Sequence, residues 1–94
     1  MDERISRIKE MEGHLDRIIE WLVHPSDVSV REDVSILEEY YHSPLWRSDF
    51  EADEAGMLPS DLKRGVLSED AVYNALTEYE EHEIPFPMNE NDQM

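Results

Sequence analysis

The chain has 94 residues, with 24 Asp and Glu against 8 Lys and Arg, four His, no Cys and a formal charge of −16. That length fits one domain and excludes separate cofactor and substrate modules; the lack of Cys excludes a disulfide framework and a thiolate metal site. No run approaches the roughly 18 apolar residues of a membrane span, and the N-terminus lacks the apolar run of a signal peptide. The acidity argues against direct binding to nucleic acid or to an anionic membrane, and the expected location is the cytoplasm.

The spacing predicts a first helix from Asp2 to about Val23. Ile5, Ile8, Met11, Leu15, Ile18, Ile19 and Leu22 recur at three- and four-residue steps, and Pro25 stops the pattern. Asp2 and Glu3 suit the positive end of the helix dipole, and Glu3 and Arg7 are an i,i+4 pair. Gly13 weakens the middle by about 1 kcal/mol relative to Ala without breaking it. Ile5, Ile8, Leu15, Ile19 and Leu22 approximate a heptad seam in which Glu12 spoils one core position. Packing within the monomer is expected ahead of a two-helix dimer seam.

Ser29-x-x-Glu32 reads as a capping box opening a second helix, with Val30, Val34, Leu37 and Tyr41 as its apolar side and an end near His42. Ser43 and Pro44 suit the cap and first position of a short third helix. Leu45, Trp46 and Phe50 supply its apolar side, and Gly56 ends it. A single helical turn is expected over Pro59–Arg64, closed by Gly65. Ser68 caps a last helix over about 69–83, with Leu67 and Val72 as a hydrophobic staple and Val72, Leu76 and Tyr79 as its buried stripe. No alternating run or hairpin turn signals a strand. The expected fold is all-α: a small helical bundle over residues 1–83, with short helices around 44–64. An irregular acidic tail follows over 84–94, in which Phe86 is a candidate to dock on the body.

The charge is uneven. Residues 66–94 hold eight acids and no Lys or Arg, whereas residues 40–65 set Arg47, Lys63 and Arg64 against five acids. A solubilising surface or a salty host accounts for the acidity ahead of a basic partner.

Candidate chemistry is sparse. Glu51, Asp53 and Gly56 sit at positions 1, 3 and 6 of a calcium-loop pattern, but position 5 is Ala55 and position 12 is Leu62, where a Glu is required. Asp49 and Asp53 share a helix face, and pairing to Arg47, Lys63 or Arg64 is expected ahead of a weak cation site. His14, His24, His42 and His82 lack paired ligand spacing, so neither a metal nor another cofactor is expected. No nucleophile elbow, phosphate loop or redox motif occurs, and an enzyme ranks below a binding protein. The densest segment is Tyr40–Tyr73. Tyr40, Tyr41, Trp46, Arg47, Lys63 and Arg64 there are the candidate binding residues, since aromatics beside Arg and Lys stack a planar group and hold an anion. A purely structural role for the segment ranks first.

The words Tyr40-Tyr41-x-Ser43, Trp46-x-x-Asp49, Asp53-Glu54-Ala55-Gly56 and Pro59-x-x-Leu62-Lys63-Arg64-Gly65-Val66-Leu67-Ser68-Glu69-Asp70, with Tyr73, resemble a family of short bacterial and prophage-type proteins classified only as a domain of unknown function. The resemblance covers most of residues 4–80. It implies a compact helical protein and transfers no catalytic or binding residue; the connection between the first two helices is shorter here than is usual in that family.

Three functions follow as expectations. The first is a non-enzymatic interaction module with a protein partner or a second copy of itself. The alternatives are a protein that sequesters a small anionic, nucleotide-like ligand, and an acidic DNA mimic that inhibits a DNA-binding enzyme.

Overall fold

The longest predicted stripe forms the centre of the fold. In a computed structural model describing residues 3–83, α1 (Glu3–Val23) places Ile8, Leu15 and Ile18 in the core, with Ile5, Met11, Trp21 and Leu22 partly buried against it. Apart from Ile19, the heptad-like positions pack within the chain. Ile19 leaves the stripe and is 41% exposed, because Ile18 takes the core-facing position beside it. Among the described residues the fold is all-α, with four α-helices, one short 3-10 helix and no strand.

α2 (Arg31–Tyr41) begins later than the capping box predicts. Val30 is its N-cap, and the Val34 amide donates to the Val30 carbonyl at 2.9 Å. The Ser29 hydroxyl instead accepts from the Arg31 amide at 3.2 Å, closing a local turn ahead of the helix. Val30 is buried, and seating that side chain in the core fixes where the chain turns into the helix.

α3 (Pro44–Glu54) has Ser43 as N-cap and Pro44 at its first turn, as the sequence predicts. The Ser43 hydroxyl donates to the Tyr40 carbonyl at 2.7 Å and so pins the corner between α2 and α3. Trp46, Asp49 and Ala52 form the buried face of α3, whereas Leu45 is 50% exposed and lies off the apolar side expected for it. Gly56 follows the helix at φ +73°, the left-handed region. Its amide donates to the Asp53 carbonyl, and that of Met57 donates to Ala52. A Cβ at Gly56 would meet no atom within 4 Å, so the cost of a side chain there is conformational alone. Gly56→Ala should lower the unfolding free energy by about 1 kcal/mol in a urea titration.

Residues 57–68 differ from expectation. Pro59–Leu62 forms only a turn, closed by the Leu62 amide on the Pro59 carbonyl at 3.2 Å, and the 3-10 helix (Gly65–Leu67) starts where the helical turn was expected to end. The cause is Arg64. Its guanidinium shares the Pro59 carbonyl with the Leu62 amide, at 2.6 Å, and takes the Leu62 carbonyl at 3.3 Å, while the Val66 amide that a continuing helix would aim at that carbonyl goes to Glu12.

α4 (Glu69–Glu83) matches its predicted span, with the Ser68 hydroxyl accepting from the Ala71 amide at 3.3 Å. Leu67 and Val72 are both buried, as the staple requires, and Val72, Ala75, Leu76 and Tyr79 complete the core. α1 packs against α2, α4 and the 3-10 helix, while α3 lies on α2 and the 3-10 helix. Phe86 and the tail over 84–94 lie outside the described residues.

Candidate functional site

The aromatic segment assembles from two adjoining helices. Trp46 stacks on Phe50 at a centroid distance of 5.1 Å and meets the Tyr41 ring edge-on at 5.2 Å. Its indole N–H donates to the Val66 carbonyl at 2.9 Å. Burial and this hydrogen bond leave little of Trp46 to stack a ligand. The bases of the segment disperse. Lys63 reaches back to Asp16 on α1 at 3.0 Å, Arg64 is held by Asp53 at 2.7 Å, and Arg47 is exposed with no ion pair among the described residues. Tyr41 and Trp46 are thus brought together, whereas Lys63 and Arg64 are turned to separate acids. The Lys63 ammonium is held above its ordinary value by the hydrogen bond to Asp16.

Tyr40 belongs to a different construction. Its hydroxyl donates to Asp49 Oδ2 at 2.6 Å, and Asp49 is fully buried. The same carboxylate accepts Arg4 Nε at 3.0 Å and both Arg7 Nε and an Arg7 terminal nitrogen, at 2.9 and 2.6 Å. Arg4 also donates to the Ser48 hydroxyl at 2.8 Å. Of the pairing expected for Asp49 and Asp53, Arg64 holds Asp53, whereas Asp49 is met by two arginines from α1, and Arg7 turns to Asp49 where an i,i+4 pair with Glu3 was expected. Burial by itself raises the Asp49 carboxyl; the hydrogen bonds from Arg7, Tyr40 and Arg4 outweigh it and hold the group below the ordinary carboxylate range. Burial, and then the hydrogen bond to Asp49, push the Tyr40 phenol up. The network ties α1, α2 and α3 into one unit.

A second tie between α1 and α2 lies nearer the surface. Asp33 Oδ1 accepts from Arg17 Nε at 2.8 Å and lies 2.7 Å from His14 Nδ1. Burial raises the Asp33 carboxyl, but the His14 and Arg17 hydrogen bonds more than offset this and lower it.

Glu12, the residue that breaks the apolar stripe, is buried at 6% exposure and accepts the Val66 amide at 2.7 Å. It thereby satisfies a buried donor of the 3-10 helix. A Cβ at position 65 would stand 3.0 Å from the Glu12 carboxylate, so Gly65 is what admits this approach. Beside Glu12 opens a cavity of about 390 Å³ between α1 and the 59–63 loop, with Lys9, Asp16, Asp61 and Lys63 in its wall over Ile5 and Leu62. Of the six candidate binding residues only Lys63 reaches this cavity. A signal was present: Lys9, Glu12 and Asp16 lie three and four residues apart and so share one face of α1.

A shallower groove of about 280 Å³ runs between the C-terminal half of α1 and α4. Ile19, Leu22 and Val23 form one wall, and Ala71, Asn74, Ala75 and Glu78 the other. Ala71 and Ala75 are one turn apart, and their small side chains leave open the trough that the α1 residues do not fill. Val23 is 64% exposed beside it.

Among the described residues no group of three or more His, Asp or Glu side chains is arranged to hold a metal ion, and no helix is long and apolar enough to cross a membrane. Comparison with curated proteins and with solved structures returns no match. The sequence pattern of a domain of unknown function, DUF4298, matches residues 8–86. That span takes in the buried core from Ile8 to Tyr79, with Arg4 and Arg7 of the Asp49 network lying just before it, and the chain belongs to the DUF4298 family.

Proposed function

We propose that this protein is a non-enzymatic interaction module that takes a basic, apolar-faced peptide segment in the groove between α1 and α4. The observation that carries this reading is a partly exposed aliphatic trough along a helix that carries acids and no Lys or Arg. Ile19 and Val23 stand open to solvent, while α4 brings Glu69, Asp70, Glu78, Glu80, Glu81 and Glu83 and no Lys or Arg. An aliphatic trough with Glu78 in its wall, on a helix of six acids and no Lys or Arg, complements an amphipathic helix whose apolar anchors are flanked by Lys or Arg. A second copy of the same chain would oppose acid with acid, so the charge favours a basic partner over self-association. Arg17, Lys63 and Arg64, paired with Asp33, Asp16 and Asp53, interrupt the acidic surface. That pattern favours a peptide partner over mimicry of the two unbroken phosphate rows of a duplex.

An amphipathic Leu/Lys helical peptide tests the reading by amide-resolved NMR. Saturable shifts are expected at Ile19, Val23, Ala71 and Ala75, weakening several-fold as salt rises from about 50 to about 300 mM. The Ile19→Asp, Val23→Asp double variant, altered at exposed positions, should fold and lose the peptide. Shifts spread over the whole acidic surface, unchanged in that variant, would leave only charge attraction and sink the proposal. Light scattering that gave a stable dimer broken by the same two substitutions would assign the groove to a second copy instead.

A further inference from the structure

The chain has only two lysines, Lys9 and Lys63, and both line the cavity between α1 and the 59–63 loop. Opposite charges share that wall without neutralising one another fully. Lys63 is paired to Asp16. Lys9 and Glu12 are one helical turn apart, yet they form no ion pair among the described residues, because Glu12 is drawn inward to the Val66 amide. Only Glu12 Oε2 is engaged there. Oε1 of this buried carboxylate has no hydrogen-bond partner among the described residues, and a buried acceptor left unpaired is costly. The cavity wall therefore brings together an ammonium, that of Lys9, with no ion pair among the described residues, the Glu12 carboxylate and, in Ile5 and Leu62, an apolar surface between α1 and the loop.

We propose that this cavity binds a free α-amino acid with an aliphatic side chain. The ligand's carboxylate accepts from Lys9, with Lys63 adding positive charge. Its ammonium donates to Glu12 Oε1, with Asp61 adding negative charge, and its side chain covers Ile5 and Leu62. An α-amino acid carries its two charges a few ångströms apart, a separation suited to side chains one helical turn apart. A simple anion would meet the three acids of the wall, and a simple cation the two lysines; a zwitterion meets a partner at each end. About 390 Å³ lies within the range of small-molecule sites. The site is independent of the α1–α4 groove and stands or falls separately from it.

Titration of isotope-labelled protein with L-leucine reads the proposal directly. Saturable shifts are expected at the amides of Gly13, Leu62 and Val66. N-acetyl-leucine, which lacks the ammonium, should fail to produce them. Lys9→Ala, a change at an exposed position that leaves the core intact, should weaken leucine binding about tenfold or more, the effect of losing one charged hydrogen bond. Absence of saturable shifts with leucine would overturn the proposal, as would unaltered binding in Lys9→Ala. Equal binding of inorganic phosphate would show an anion site instead, and equal binding of putrescine a cation site; either result also overturns it.

Discussion

Asp49→Ala should destabilise the protein by about 3 kcal/mol, with a large fall in the urea midpoint at neutral pH. Removing one partner of a buried ion pair typically costs about 3–5 kcal/mol, since the charges left behind lose their compensation. The lower end applies because the Arg4 and Arg7 side chains are 29% and 21% exposed, so water partly solvates them once the carboxylate is gone. Tyr40→Phe removes one hydrogen bond to the same carboxylate and should cost about 1.5–2 kcal/mol. The pH dependence has a definite sign. In the folded chain Asp49 is held below its ordinary value, which is about 3.9 when unfolded. Its contribution is therefore complete above about pH 4 and is lost as pH falls from there through the folded value. The gap between the parent protein and Asp49→Ala should narrow as urea titrations move from pH 7 to pH 3. A gap that stayed constant over that range would show that the arginine pairs do not stabilise the ionised carboxyl.

The second large effect runs against the sequence pattern. Leucine at position 12 would complete the apolar stripe of α1 and, judged by periodicity, should stabilise it. In the folded chain Glu12→Leu strands the buried Val66 amide, at an expected cost of about 2 kcal/mol. Glu12→Gln keeps a carbonyl acceptor of nearly the same reach and should cost less than half as much. Chemical denaturation of the two variants side by side separates these expectations. If Glu12→Leu proved neutral or stabilising, the hydrogen bond to Val66 would contribute nothing net.

These two positions also mark how far the sequence could be read. Trp46-x-x-Asp49 was legible as a motif, but its partners were not. Arg4 and Arg7 lie more than forty residues away, and nothing local distinguishes them from the solvated bases around them. Glu12 looked like a defect in the stripe because periodicity registers polarity, and the amide it satisfies belongs to a distant segment. The expected helical turn over Pro59–Arg64 failed for a related reason. Its local propensity was adequate, but Arg64 takes the Leu62 carbonyl and Glu12, fifty-four residues earlier, takes the Val66 amide. The six candidate residues were chosen by chemical type within one stretch of chain. Folding joins Tyr41 to Trp46 and sends Tyr40, Lys63 and Arg64 to three different carboxylates.

The sequence by itself determined what depends on neighbours three and four residues apart. It set the all-α class, the spans of α1 and α4, Pro44 and Gly56 at the ends of α3, and the concentration of acid in the last third of the chain. The tertiary structure alone decided which charges are buried, which acids the arginines meet, and where α1 leaves an unfilled groove and a lysine-lined cavity. The physical reason is range. Helix formation and capping act over a turn or two, whereas desolvation and hydrogen-bond pairing depend on segments that only packing brings together.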